Sequence, residues 1–162
     1  MSKIGIYPGS FDPITYGHLD IIQRSLNVVD ELIIAVSNNK SKEHLISVDD
    51  RLELINQSIQ SLPKEDLNKI KVEKFDNLLV HYVKSKNASL ILRGLRSVSD
   101  LEYEFLMTGM NRTIDKEIET IFLMSSEKYH FISSRFIKEI HKLGGDISKS
   151  VPKPVLDFLS KI

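Results

Sequence analysis

Five short apolar segments, separated by amphipathic segments, constrain the fold of this chain more than any other feature. The apolar runs predict strands at residues 3–7, 31–36, 70–75, 90–92 and 118–124. Between them, apolar residues recur at helical spacing, as at Leu19 and Ile22 in a predicted helix over residues 18–29. Short apolar strands that alternate with such helices are typical of a parallel sheet that helices cover on both faces.

We therefore predict an α/β fold, with one doubly wound, five-stranded parallel sheet and a C-terminal helix that starts at Pro154. A chain of 162 residues has the length of one domain, so a single domain is predicted over residues 1–162. Apolar spacing predicts that Val155, Phe158, Leu159 and Ile162 face inward, and it marks a further helix at Phe136, Ile140 and Leu143. Met107 and Met110 are assigned to the core by default, although the apolar faces of the fourth and C-terminal helices could equally form subunit contacts.

The composition disfavours several classes of function. Lys and Arg together number 22, as do Asp and Glu, so the total charge predicts neither nucleic acid nor an anionic membrane as a partner. The chain has no cysteine, which rules out disulfides and cysteine metal sites. The apolar run near the N-terminus is too short for a signal peptide or a membrane span, so a cytoplasmic protein is expected.

The turn between the first predicted strand and helix has an unusual composition. Residues 8–18 contain two glycines, two prolines, a serine, a threonine and a histidine. A lone histidine at a helix start most often has only a structural role there. With residues 8–13 before it, however, His18 indicates a phosphate site, because the N–H groups and dipole of a helix N-terminus attract anions.

Cations, glycines and hydroxyl groups also follow three later strands, at residues 37–42, 93–97 and 125–135. Ligands of open parallel sheets bind beyond the carboxyl ends of the strands, so these segments predict one rim that suits a polyanion such as a nucleoside triphosphate. Arg93 ends an apolar strand and Arg96 follows in the same turn. Both guanidinium groups are expected at the rim, where they suit bidentate phosphate contacts.

Ordinary structural roles remain open for several of these residues. Most lysines in a polar loop such as that of Lys42 are merely solvated. Ser133 and Ser134 suit a helix N-cap, and on spacing alone Glu104 fits a solvated helix position. The remaining histidines show no metal-ligand spacing.

The predicted rim offers no convincing Ser–His–Asp set and no paired acids. A phosphate nucleophile is already ionised near neutral pH and needs no general base. Catalysis then depends on positioning and on charge stabilisation at the transferring phosphorus. The residues therefore favour attack of one phosphate on another.

Several motifs resemble those of a known family. Thr15-Tyr16-Gly17-His18 resembles the T/HxGH motif of the nucleotidyltransferase superfamily. RGLR at residues 93–96, DLEYE at 100–104 and FISS at 131–134 resemble the bacterial phosphopantetheine adenylyltransferase family, and the similarity covers almost the whole chain. Tyr129 and Arg135 depart from the family pattern, which often has tryptophan and serine there.

The resemblance implies a Rossmann-like nucleotidyltransferase fold and transfer of AMP from ATP to 4′-phosphopantetheine, giving dephospho-CoA and pyrophosphate in coenzyme A biosynthesis. It also implies a homohexamer, feedback binding of coenzyme A, and Mg²⁺ held mainly by the ATP phosphates, with no dedicated protein ligands. His18 is implied to stabilise the transition state. The residues implied to bind ATP are Ser10, Phe11, His18, Gly94, Leu95, Arg96, Glu104, Tyr129, His130, Phe131, Ile132, Ser133, Ser134 and Arg135. Those implied to bind phosphopantetheine are Ser10, Lys42, Leu79 and Arg93.

Two other functions remain open. Another nucleotidyltransferase, acting on nicotinate mononucleotide or a phosphorylated alcohol, would share the T/HxGH motif, although RGLR and DLEYE argue against it. A non-catalytic, receiver-like nucleotide-binding module is expected to have acidic residues at the end of its first strand. This chain has Tyr7, Pro8 and Gly9 there.

Overall fold

A computed structural model describes residues 2–39, 41 and 43–162, so the predicted acceptor-binding residue Lys42 lies outside the described residues. The strands are β1 (Ile4–Gly9), β2 (Glu31–Ser37), β3 (Ile70–Phe75), β4 (Leu90–Leu95) and β5 (Glu119–Met124). The helices are α1 (Tyr16–Ser25), α2 (Val48–Ile59), α3 (Lys64–Leu67), α4 (Leu79–Ser85), α5 (Val98–Ile114), α6 (Ser134–Lys142) and α7 (Lys153–Leu159).

The strands form one parallel sheet in the order β3-β2-β1-β4-β5, which confirms the predicted doubly wound α/β fold. On one face, α1, α2 and α7 pack against the sheet through residues such as Ile22, Ile55 and Val155. On the other face, α4 packs through Val80 and Val83. The chain continues from β1 to one side and from β4 to the other, so the direction of winding switches between these two strands.

Two strands run further than their apolar residues indicated. β1 continues to Gly9, because Pro8 and Gly9 pair with β2 in parallel register. β4 continues to Leu95, because Arg93 and Gly94 pair with β5. The first residues of the predicted rim are therefore held in the sheet itself rather than in free loops.

The sequence pattern was wrong about two helical segments. α1 ends at Ser25 rather than at Val29, because the N–H groups of Asn27 and Val28 bond to carbonyls three residues back instead of four. The short helix α3 was not predicted. It follows Pro63, which begins a turn that apolar spacing does not reveal.

Several residues predicted to face inward are exposed. Met107 and Met110 are 40% and 60% exposed on α5, and Ile162 is 64% exposed. The helix that Phe136, Ile140 and Leu143 marked is present as α6, where these three side chains are exposed and Ile137 is buried. The prediction does hold for Val155 and Leu159 of α7, which are fully buried, and Phe158 is half-buried. Across the described residues, no helix is both long enough and apolar enough to cross a membrane.

Candidate active site

Two adjoining cavities open at the carboxyl ends of β1 and β4, where the winding of the sheet switches. Their volumes are about 350 Å³ and about 250 Å³. Both are lined by Pro8, Gly9, Ser10, Arg93 and Glu104, which we call the shared wall. Open α/β sheets bind their ligands at such a switch point, so this rim is the candidate site.

His18 is the third residue of α1 and forms a capping box with the N-cap residue Thr15. The Thr15 N–H donates to His18 Nδ1 at 3.0 Å, so Nδ1 lacks a hydrogen and Nε2 carries one in the neutral ring. Burial first, and then the positive charges of Arg96 and Arg93, together lower the pKa of His18 to about 4. Near neutral pH, His18 thus supplies a neutral N–H donor to the larger cavity.

Asp12 anchors the turn that carries Ser10 and Phe11, and is only 2% exposed. Its carboxylate accepts hydrogen bonds from the Leu45 N–H at 3.0 Å, the Ile46 N–H at 2.9 Å and the Lys138 ammonium at 2.7 Å. Burial raises the pKa of Asp12, but these donors outweigh burial and hold the pKa below its ordinary value. The carboxylate therefore stays ionised and ties the turn to the β2–α2 loop and to α6.

Arg93 and Glu104 form a bidentate ion pair in the shared wall. Arg93 Nε donates to one Glu104 oxygen at 2.8 Å, and Nη2 donates to the other. The remaining Nη1 donates to the Pro8 carbonyl at 2.6 Å. Glu104 is buried, so the solvated position that its spacing suggested is wrong. The pair fixes α5 against β1 and β4.

Arg96 joins the β4–α5 turn to the β5–α6 loop. Its Nε and Nη2 donate to the Asp100 carboxylate at 3.1 and 3.2 Å, and Nη1 donates to the Ile132 carbonyl at 3.1 Å. Arg93 and Arg96 both reach the rim, as their positions in the sequence indicated, and each is oriented by a carboxylate.

The β5–α6 loop closes another side of the larger cavity. Ser133 caps α6, where its hydroxyl accepts a hydrogen bond from the Phe136 N–H at 3.1 Å. The Ser134 hydroxyl donates to the Pro13 carbonyl at 2.7 Å and so joins this loop to the turn before α1. The capping role that the sequence left open is thus present at Ser133, next to the cavity.

The structure brings most of the predicted site residues together. The predicted ATP-binding residues that line the larger cavity are Ser10, Phe11, His18, Gly94, Arg96, Glu104, Ile132, Ser133, Ser134 and Arg135. The predicted acceptor-binding residues that line the smaller cavity are Ser10, Leu79 and Arg93.

Four residues predicted to bind ATP lie outside that lining. Leu95 is buried in the sheet, whereas Phe131 is 90% exposed. The Tyr129 ring stacks on the Tyr16 ring, with centroids 6.4 Å apart, and His130 Nε2 donates to the Ser125 carbonyl at 2.8 Å. In this conformation the β5–α6 loop therefore places Tyr129, His130 and Phe131 outside the cavity lining.

The sequence pattern did not predict several charged residues that hold the loops of the site. Asp12 lies within residues 8–13 of the predicted turn, and the composition of that turn predicted no role for Asp12 itself. Asp20 accepts hydrogen bonds from both the N–H and the hydroxyl of Ser126, at 3.1 and 2.6 Å. Arg51 is 1% exposed on α2, and a charged residue one helical turn before the apolar Ile55 was the available signal.

Several known proteins resemble this chain in sequence or in fold. The family model for cytidylyltransferase-like proteins matches residues 6–140. Relatives named phosphopantetheine adenylyltransferase include one from Caulobacter vibrioides, 49% identical over 157 residues that cover 97% of this chain and 95% of the relative. Another from Acidiphilium cryptum is 50% identical over 154 residues, covering 95% and 91% of the two chains.

One from Vesicomyosocius okutanii is 48% identical over 159 residues, covering 98% of each chain. Among solved structures, a protein described as a nicotinate-nucleotide adenylyltransferase from Vibrio parahaemolyticus superimposes with a TM-score of 0.74 over 99% of this chain and 93% of that one. Its sequence identity of 18% limits that likeness to the fold. The relatives and the family model together show that this chain belongs to the phosphopantetheine adenylyltransferase family of cytidylyltransferase-like proteins.

Proposed function

We propose that this protein transfers the adenylyl group of ATP to 4′-phosphopantetheine and so produces dephospho-CoA and pyrophosphate for coenzyme A biosynthesis. The observation that carries the proposal is the pair of cavities with a shared wall. Two phosphate-bearing substrates that react directly must meet, and a shared wall brings their phosphates together. The name and the 49% identity of the Caulobacter vibrioides relative support the same pair of substrates.

In this proposal ATP occupies the larger cavity, and its phosphates lie near His18, Arg96 and the N-terminus of α6. The acceptor occupies the smaller cavity, with its phosphate at Arg93 and Ser10 and its apolar arm towards Leu79. Lys42 is proposed as a further acceptor contact, on the resemblance of the sequence alone.

The proposed reaction is a direct displacement at the α-phosphorus of ATP. An oxygen of the acceptor phosphate forms the new P–O bond, and the bond between the α-phosphorus and the bridging oxygen breaks. Pyrophosphate leaves with that electron pair. Negative charge accumulates on the α-phosphate oxygens in the transition state, and in this proposal the His18 Nε2–H, left free by the Thr15 contact with Nδ1, donates a hydrogen bond to them.

The arrangement around His18 supports attack without a covalent enzyme intermediate. Nδ1 of His18 accepts from Thr15, so His18 is not oriented by a carboxylate as the histidine of a catalytic triad would be. The ring therefore acts as a hydrogen-bond donor instead of a base. An ionised acceptor phosphate needs no base, which agrees with this role.

We also propose that Mg²⁺ accompanies ATP and neutralises part of its phosphate charge. Both carboxylates that line the larger cavity, Asp100 and Glu104, already pair with arginines. Within the described residues, no group of three or more His, Cys, Asp or Glu is placed to hold a metal ion. The ligands of the ion would then be mainly phosphate oxygens and water, which suits the coordination habits of Mg²⁺.

A panel of acceptors tests the proposed function. The purified protein is incubated with Mg²⁺–ATP and 4′-phosphopantetheine, nicotinate mononucleotide or phosphocholine, and pyrophosphate release is measured. We expect rapid release only with 4′-phosphopantetheine, together with formation of dephospho-CoA. Turnover confined to another acceptor would reject the substrate but keep the reaction type, and no turnover with any acceptor would reject adenylyl transfer to this panel.

We further propose a homohexamer in the cytoplasm, with coenzyme A as a feedback ligand that competes for the acceptor cavity. The exposed apolar side chains of α5, among them Val98, Phe105, Leu106 and Met110, support a subunit contact, since patches of this kind mark interaction sites.

Sedimentation velocity should give the mass of six copies of the 18.5 kDa chain, and Leu106→Glu should shift the sedimenting mass towards smaller species. A wild-type protein that sediments as a monomer would contradict the hexamer.

A further inference from the structure

Arg51 is a buried cation that the proposed reaction does not use directly. It lies on α2 and is 1% exposed. Its Nε donates to the Ile46 carbonyl at 3.1 Å. Its Nη1 donates to the Ser10 carbonyl at 2.6 Å and to the Ser37 carbonyl at 3.1 Å. One guanidinium group thus joins the turn after β1, the end of β2 and the loop before α2.

The partners of Arg51 are unusual for a buried charge. Within the described residues, no carboxylate lies within ion-pair distance of Arg51, and the nearby Asp12 is bonded to Lys138 instead. Removing a charge from water is costly unless hydrogen bonds compensate for it. Core packing alone does not require a charge, since an apolar side chain of similar volume fills such a space at lower cost. The contribution of this guanidinium to the fold is that it orients three backbone carbonyl groups.

One of those carbonyls belongs to Ser10, a residue of the shared wall of the two cavities. Ser10 lines both cavities, and Ser37 lines the smaller one. In a trans peptide the C=O and N–H groups point in opposite directions, so a Ser10 carbonyl bound to Arg51 turns the Phe11 N–H away from α2.

The backbone at Phe11 is held in an uncommon conformation. Its φ angle is 47°, in the left-handed region that non-glycine residues rarely adopt. Among the described residues, none accepts a hydrogen bond from the Phe11 N–H. Phe11 lines the larger cavity, where its ring lies 5.0 Å from the ring of His18. A strained peptide with an unused donor beside His18 suits a phosphate oxygen as its partner.

We propose that Arg51 is a positioning residue for phosphate binding: by holding the Ser10 carbonyl it directs the Phe11 N–H towards the phosphates of the nucleotide. The ligand in this inference is that of the proposed function, on which it rests. Arg51 itself touches no substrate, so its effect passes entirely through the Ser10–Phe11 peptide.

The test combines a backbone probe with kinetics. The chain has seven phenylalanines, so labelling with [¹⁵N]phenylalanine gives a simple amide spectrum, in which Phe11→Tyr identifies the Phe11 signal. In the wild type, Mg²⁺–pyrophosphate should shift the Phe11 amide strongly. In Arg51→Met, which fills the space without donors, that shift should disappear and kcat/KM for ATP should fall roughly 100-fold, as when a positioned oxyanion donor is lost.

The matched control is Ile55→Ala, a cavity in the same helix one turn beyond Arg51. Ile55 is fully buried and lines neither cavity, so its loss should lower stability while the Phe11 shift and kcat/KM remain. If Arg51→Met does not fold, Arg51→Lys keeps the charge but not the fork, and an intermediate loss of kcat/KM is expected.

Several outcomes overturn the inference. They are an unperturbed Phe11 amide in the wild type, normal kinetics in the folded Arg51 variant, and equal kinetic losses in Arg51→Met and Ile55→Ala. Failure of the proposed function is a different result: the wild type would then lack turnover with 4′-phosphopantetheine, while the Phe11 response to Mg²⁺–pyrophosphate would still decide the role of Arg51.

Discussion

Replacing His18 with alanine should lower kcat by about 100- to 1000-fold, the range seen when one donor to a developing oxyanion is removed. The affinity for ATP should change far less, because the Nε2–H bond is proposed to strengthen only as charge accumulates on the α-phosphate. Steady-state kinetics and calorimetric titration with ATP would measure the two effects separately. Unchanged turnover with weaker ATP binding would assign His18 to ground-state binding.

A control for this substitution is His81→Ala, because His81 is an exposed histidine of α4 that lines neither cavity. His18→Gln adds a further comparison, since a side-chain amide restores an N–H donor without a titrating ring. Partial recovery of kcat in His18→Gln would support donation as the essential property. Equal losses in His18→Ala and His81→Ala would show that the effect is not specific to the site.

The protonation state of His18 also predicts a pH dependence of the stability of the protein. Its pKa in the folded protein is about 4, whereas the ordinary value is 6.5, so between these values the unfolded chain binds a proton that the folded protein does not. The contribution of His18 to stability is therefore fully present above pH 6.5 and declines as the pH falls towards 4. NMR titration of the ring in the free protein should show no protonation near pH 6.5, and a normal pKa would contradict the buried neutral donor.

The sequence was informative where its signal is local. Most strands contain a short apolar run, and parallel strands place their carboxyl ends at one edge, so Arg93, Arg96 and His18 could be assigned to one rim before their contacts were known. The N-cap at Ser133 is local as well, since its hydroxyl accepts a hydrogen bond from an N–H three residues later. Local sequence patterns were therefore sufficient to predict the fold and the approximate position of the site.

What the sequence did not reveal depends on contacts between distant segments. Lys138 reaches Asp12 across 126 positions, and Arg51 reaches the Ser10 carbonyl across 41. The sequence around each of these residues contains no local pattern that indicates its distant partner. Apolar spacing also fails on α5, because a stripe such as Met107 and Met110 looks the same whether it faces the sheet or another surface. Burial of Glu104 reverses the usual expectation for a helix glutamate, and only its contact with Arg93 explains it.

The ion pair of Arg93 and Glu104 leads to the second large effect. Arg93→Met should raise the KM for 4′-phosphopantetheine by about 10- to 100-fold, since hydrogen bonds to charged groups contribute roughly 1.5–3 kcal/mol. It should also lower the free energy of unfolding by about 3–5 kcal/mol, because Glu104 would remain buried without its partner. Urea unfolding and steady-state kinetics measure these two effects.

The double variant Arg93→Met/Glu104→Gln separates the two effects, because it removes the unpaired carboxylate but does not restore the guanidinium. Its free energy of unfolding should recover part of the loss, while the KM for the acceptor should stay high. If acceptor use returned together with stability, Arg93 would act only by supporting α5. If KM remained high in the stable double variant, the guanidinium itself would bind the acceptor phosphate, and the shared wall would be the place where that phosphate meets ATP.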